Sequence, residues 1–154
     1  MILIGFLVSI QFVSCTSREK REIKQMMGRT VRLGGNFIYI DSACVSTKSQ
    51  HNNEIRVMTI LDNNDCYECM FKPILGIELL LSKSNVNADD AEILAFVDSI
   101  DSQKAQLVLK SMNLDATIVV DSLNYYKQKN NVNELLYKNR TFIVDSKNRI
   151  VFVG

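Results

Sequence analysis

The chain has 154 residues, 47% of them hydrophobic, with 18 Lys and Arg against 17 Asp and Glu. That length suits one domain, and a formal net charge of +1 without any block of like charges excludes the electrostatic footprint of a nucleic-acid binder. One Pro and 6 Gly exclude a disordered or collagen-like chain, and a single His excludes most His-rich metal chemistry.

The first segment, MILIGFLVSIQFV, carries no charge and is 13 residues long, shorter than the ~20 a membrane-spanning helix needs. It fits the apolar region of an export signal. Val13-Ser14-Cys15 and the polar run Thr16 to Glu22 follow directly, a pattern that looks like a lipoprotein signal-peptidase site. The expectation is a signal peptide over 1–14, a lipidated Cys15 opening the mature chain, and a tether with a short helix over 15–29. Export would place the remaining cysteines in a compartment where a dithiol can be oxidised.

Beyond the tether, Gly28 ends a charged, helix-compatible stretch. Thr30-Val31-Arg32-Leu33 alternates as a strand does, and Phe37-Ile38-Tyr39-Ile40 reads as a second one. A polar loop covers 46–54. Ile55 to Leu61 is β-branched and nearly uninterrupted, the pattern of a strand buried on both faces. A helix is predicted from about Cys66 to Leu81, with Asn64 or Asp65 as N-cap and Pro73 expected to kink it. Then come a strand over Glu92–Val97, a helix over Ser102–Met112 with Ala105, Leu107, Val108 and Leu109 for its apolar face, and a strand over Ala116–Val120. Asp121 to Lys138 reads as polar and irregular. The chain closes with a hairpin, Thr141–Val144 and Ile150–Val153, around the turn 145–149. This order predicts an α/β fold in the α+β sense: a four- to five-stranded mixed sheet flanked by helices, with parallel neighbours joined by right-handed crossovers.

The chemistry-bearing motif is Cys66-Tyr67-Glu68-Cys69, at a strand-to-helix junction. Unpaired backbone N–H groups and the helix dipole favour a thiolate there, so the first Cys of such a pair is the reactive one. The second, one turn along, can close a disulfide without moving the backbone.

The stretches VMTILDNNDCYECMFKP and NRTFIVDSKNRIVFVG resemble the strand, active-site helix and closing hairpin of the thioredoxin-like fold family. The resemblance is to the lipid-anchored thioredoxin-like proteins of Bacteroides-type bacteria, and it covers about 55–154, within a domain taken as 30–154. It implies thiol–disulfide exchange without a cofactor, with Cys66 as nucleophile and Cys69 as resolving thiol. It also implies protein thiols and disulfides as substrates, an unknown redox partner, and a membrane-bound place in the cell envelope facing the periplasm, on the outer rather than the inner membrane. Asp65 stands where the family has Trp, Ile60 where it has a buried acid, and Asn139-Arg140 where it has a cis-proline. The absent acid predicts slower exchange. Arg140 is a candidate modulator that would favour the Cys66 thiolate; Asp65, with Asp62 and Glu68, acts in the opposite sense. The family's helix after the hairpin has no counterpart before Gly154, so one sheet face is expected to lie partly bare.

Two other readings stay open. The lost family residues suit a thioredoxin-like binding or scaffold lipoprotein whose disulfide is structural. Alternatively, Cys44 and His51 with Cys66 and Cys69 have the composition of a Cys3His zinc set. The bland readings are a core Cys44, a solvated His51 and Lys72, and aromatics at Tyr125-Tyr126 and Leu135-Leu136-Tyr137 that pin a loop to the core.

Overall fold

The computed structural model describes residues 18–47, 55–62, 66–84, 90–132, 135 and 140–154. The predicted leader, Cys15, His51, Asn64, Asp65, Leu136, Tyr137 and Asn139 lie outside them. A helix, α1, runs over 18–26 and ends at Gly28, whose φ of +76° is open to glycine without strain. The other elements are β1 (Ile38–Ile40), β2 (Val45–Ser46), β3 (Ile55–Ile60), α2 (Tyr67–Lys83), β4 (Ala91–Val97), α3 (Ser102–Ser111), β5 (Thr117–Val120), α4 (Tyr125–Asn130), β6 (Thr141–Val144) and β7 (Ile150–Val153).

One sheet holds all seven strands, in the order β2-β1-β5-β4-β3-β6-β7. β3, β4 and β5 are parallel neighbours, while β6, β7, β1 and β2 add antiparallel pairs on either side. The sheet is therefore wider than the four to five strands expected, because the β1–β2 hairpin extends it past β5. The stretch 30–33, expected as a strand, is not one. Thr30 makes a single bridge to Arg149, and Arg32 bonds through both its N–H and its C=O to the Asn130 side chain, at 2.8 and 3.0 Å. A side chain thus satisfies the backbone groups that a ladder would otherwise take.

Period-two alternation sends β3 and β4 side chains to both faces, so each strand supplies two cores. On the first face Val57, Leu61, Ile93, Ala95 and Val97 pack under α2 (Phe71, Ile74) and α3 (Ala105, Leu109). Two successive parallel crossovers of the same hand place both helices on that side. On the second face Met58, Ile60, Leu94, Phe96, Phe142 and Val144 meet Met26, Val31, Phe37, Tyr126 and Val132. The face expected to lie partly bare is therefore covered, by α1, the segment after it and α4. Helix α4 lies inside the stretch expected to be irregular. Asp121 nucleates it by accepting the N–H groups of Tyr125 and Tyr126 at 2.9 and 2.6 Å. Tyr126 is fully buried and stacks on Phe96 at 3.8 Å between ring centroids, which supports the core reading of that aromatic over a groove-lining one. In α3 the buried positions are Ala105 and Leu109; Leu107, counted with the apolar face, is 66% exposed.

Candidate redox site

β3 is an interior strand of the sheet, between β4 and β6, and the chain leaves its C-terminal end to enter α2. Backbone bonds hold that end from both sides: Leu61 donates to Phe96 of β4 at 2.9 Å, and Ile60 donates to the carbonyl of Arg140 at 3.1 Å. The N-cap of α2 is Cys66 itself rather than Asn64 or Asp65. Its backbone is extended (φ −92°, ψ 97°) and its Sγ accepts the Cys69 N–H at 3.2 Å. A sulfur can fill the capping position because only an acceptor aimed at the first-turn N–H groups is needed there. The helix behind it is anchored by buried Met70, Phe71 and Ile74, and Tyr67 packs edge-on against Phe71 while its hydroxyl accepts the Asp101 N–H at 3.2 Å. The first turn is thereby fixed to the start of α3.

Cys66 and Cys69 are joined in a disulfide with their Cα atoms 5.2 Å apart, inside the range such bridges occupy. Both cysteines are exposed. The helix continues through Pro73, which has no N–H to give the Cys69 carbonyl one turn back.

A pocket of about 430 Å³ opens beside the second sulfur-bearing residue. Cys69, Met70 and Pro73 form its helix side, Thr59 to Asp62 its β3 side, and Arg140, Thr141 and Gly154 the side of the hairpin. Thr59 and Thr141 sit opposite each other in the antiparallel register and share a 2.9 Å hydroxyl contact. Arg140 is ion-paired with Asp62, with side-chain exposures of 24% and 63%. The predicted modulator therefore lies next to the bridge but directs its guanidinium to a carboxylate. From the sequence Asp62 reads only as a nearby anion; its pairing with Arg140 depends on β3 and β6 becoming neighbours. Thr59 and Thr141 were also missed, since nothing in the local sequence ties positions 82 residues apart.

Cys44 does not join this site. It lies in the β1–β2 turn, its Sγ 3.3 Å from Asp41 Oδ2. β1 is three strand spacings from β3, roughly 14 Å, and Ile40 pairs with Ile118 near the start of β5, the end of the sheet opposite the bridge. The Cys3His zinc set therefore cannot assemble, and among the described residues no group of three His, Cys, Asp or Glu side chains could hold a metal ion.

The architecture is the thioredoxin-like fold. Solved structures that it matches include the peroxidoxin BcpB of Mycobacterium tuberculosis, at TM-score 0.57 and 16% identity over 84% of each chain. Also similar are a mutant of PrxQ from Xylella fastidiosa (TM-score 0.56, 17% identity, 82% of each chain) and an uncharacterized thioredoxin-like protein from Porphyromonas gingivalis (TM-score 0.52, 14% identity, 82% of each chain). No protein-family model matches the sequence, and no curated protein does.

Proposed function

We propose that this chain is a thiol–disulfide oxidoreductase, exported and held at a membrane surface of the cell envelope through lipid on Cys15, acting on protein thiols and disulfides. The reduced pair works through Cys66. Its sulfur stands where the helix dipole and the Cys69 N–H favour the thiolate. The thiolate attacks one sulfur of a substrate disulfide, a mixed disulfide forms on Cys66, and the other substrate sulfur leaves as thiolate. The Cys69 thiolate then attacks the Cys66 sulfur, releases the second substrate thiolate and closes the Cys66–Cys69 bridge. Run backwards, the same steps oxidise a substrate dithiol.

The observation that carries this reading is the exposed, bonded pair at the mouth of a helix that the core holds rigidly. The fold shared with a peroxidoxin and with an uncharacterized thioredoxin-like protein supports it. A turbidity assay of insulin reduction driven by dithiothreitol tests it. The wild-type chain is expected to shorten the lag before precipitation, and Cys66→Ser is expected to restore the uncatalysed lag. Equal lags with and without the wild-type protein would leave the bridge as a structural feature only.

A further inference from the structure

Helix α2 has a second face, turned away from the core, that the described part of the chain leaves uncovered. Met70, Phe71 and Ile74 point inward, while Glu68, Lys72, Leu75, Gly76, Leu79 and Lys83 are all exposed. At about 100° per residue these six fall within one arc of roughly 100°, on the side away from the buried three. Leu75 and Leu79, one turn apart, are 47% and 54% exposed, and contiguous apolar surface of this kind marks a contact site.

Gly76 stands in the middle of this stripe. Glycine inside a helix is destabilising relative to alanine. Among the described residues nothing lies within 4 Å of the place its Cβ would take, so no neighbour in the chain requires the side chain to be missing. Beside an exposed leucine, the gap is a hollow into which a side chain of another helix fits.

The two ends of the stripe carry opposite charges. Glu68 lies in the first turn and Lys83 in the last, and among the described residues neither has an ion-pair partner. An antiparallel copy of α2, with its midpoint between Leu75 and Gly76, sets Lys83 opposite Glu68. The same register sets Leu75 against Gly76 and lays the methylene stem of Lys72 beside Leu79. Each contact then occurs twice, as a two-fold interface requires. An anionic lipid surface, the other partner suited to leucines among lysines, would repel Glu68, whereas a second copy pairs it.

We propose that the chain self-associates through the outer face of α2, two copies packing antiparallel about Leu75 and Gly76, with Glu68 of each paired to Lys83 of the other. The paired span is about 22 Å long at ~1.5 Å per residue, and Cys66 at the helix cap lies outside it. One dithiol therefore sits at each end of the helix pair. A single helix face is smaller than a standard interface, so the dimer is expected to be concentration-dependent.

Sedimentation equilibrium of the full chain, its unbridged thiols alkylated, tests this over rising protein concentration. The wild type is expected to pass from monomer to dimer. Glu68→Lys or Lys83→Glu alone turns both reciprocal pairs into like charges and is expected to weaken association about ten-fold. The two single variants mixed together, and the double variant by itself, are expected to regain it, because every 68–83 pair is again of opposite sign. Gly76→Gln is expected to weaken association with unchanged far-UV circular dichroism, since the added side chain starts in open space. A monomer at every concentration overturns the proposal, as does association indifferent to the charge reversals, which is how contact through the apolar leader would behave. Binding to phosphatidylglycerol vesicles that strengthens with Glu68→Lys and weakens with Lys83→Glu, without mutual rescue, overturns it in favour of a lipid surface. None of these measurements involves exchange at the bridge, so their outcome is separate from that of the oxidoreductase reading.

Discussion

Asp145 shows how one side chain can hold a turn. It accepts the backbone N–H groups of Lys147 and Arg149 at 2.9 Å each, and the Arg149 guanidinium at 2.9 and 2.7 Å. These bonds, the Arg149 backbone N–H foremost, hold its pKa below the ordinary aspartate value. A carboxylate with a depressed folded pKa binds fewer protons folded than unfolded. Its contribution is complete above the unfolded value of about 3.9 and is lost as pH falls through the lower, folded one. Asp145→Asn is thus expected to be less stable than wild type at neutral pH and to converge with it below about pH 4. Urea midpoints measured across that range check this, and a gap that stays constant with pH would refute the linkage. Cys66 is the other residue-scale finding. The motif marks it only as the candidate reactive sulfur, and its role as the helix cap rests on backbone geometry that the sequence would equally let Asn64 or Asp65 supply.

At the scale of elements, the strand–helix unit β3–α2 and the β6–β7 hairpin were legible because their signals are local. A β-branched run, a break, a helical period from Met70 onward and a turn of Asp, Ser, Lys, Asn and Arg each point to one conformation. Helix α3 was legible in extent but not in facing. Ser102–Ser111 presents Ala105, Leu107, Val108 and Leu109, more apolar positions than one buried stripe needs, and only the docked sheet decides which go inside. Leu109→Ala is expected to cost about 2–5 kcal/mol because it opens a cavity against the first core. Leu107→Gln should stay within about 0.5 kcal/mol of wild type, as an exposed site does. Chemical denaturation of both variants settles the facing; a larger loss at Leu107 than at Leu109 would reverse it. Helix α4 escaped the sequence reading because YYKQKN is polar and short, and its stability comes from the Asp121 cap and the burial of Tyr126.

Across the whole molecule, two cores on opposite faces of one sheet carry the stability, and the bridge spans only three positions of one helical turn. Closing so short a loop restricts the unfolded chain little, on the order of 2 kcal/mol in a chain-entropy account. The reduced protein is therefore expected to stay folded, with unchanged far-UV circular dichroism and a stability loss of about 2 kcal/mol or less. Global unfolding on reduction would mean that the disulfide is a structural staple after all. A scaffold that survives reduction is what a reversible redox couple requires.

Sequence by itself determined the parts whose cause lies within a few residues: the central strand, the two cysteines one turn apart at a helix start, the crossover order and the final hairpin. Those features follow from side-chain alternation, helical period and the spacing of donors at a helix end. Tertiary structure alone decided the rest. It covered the second face with α1 and α4, set Cys44 at the far end of the sheet, and brought Arg140 and Thr141 across to Asp62 and Thr59 beside Cys69. Each of these depends on which strands become neighbours, and strand pairing between segments some 80 residues apart is selected by the packing of the whole core, not by any local run of residues.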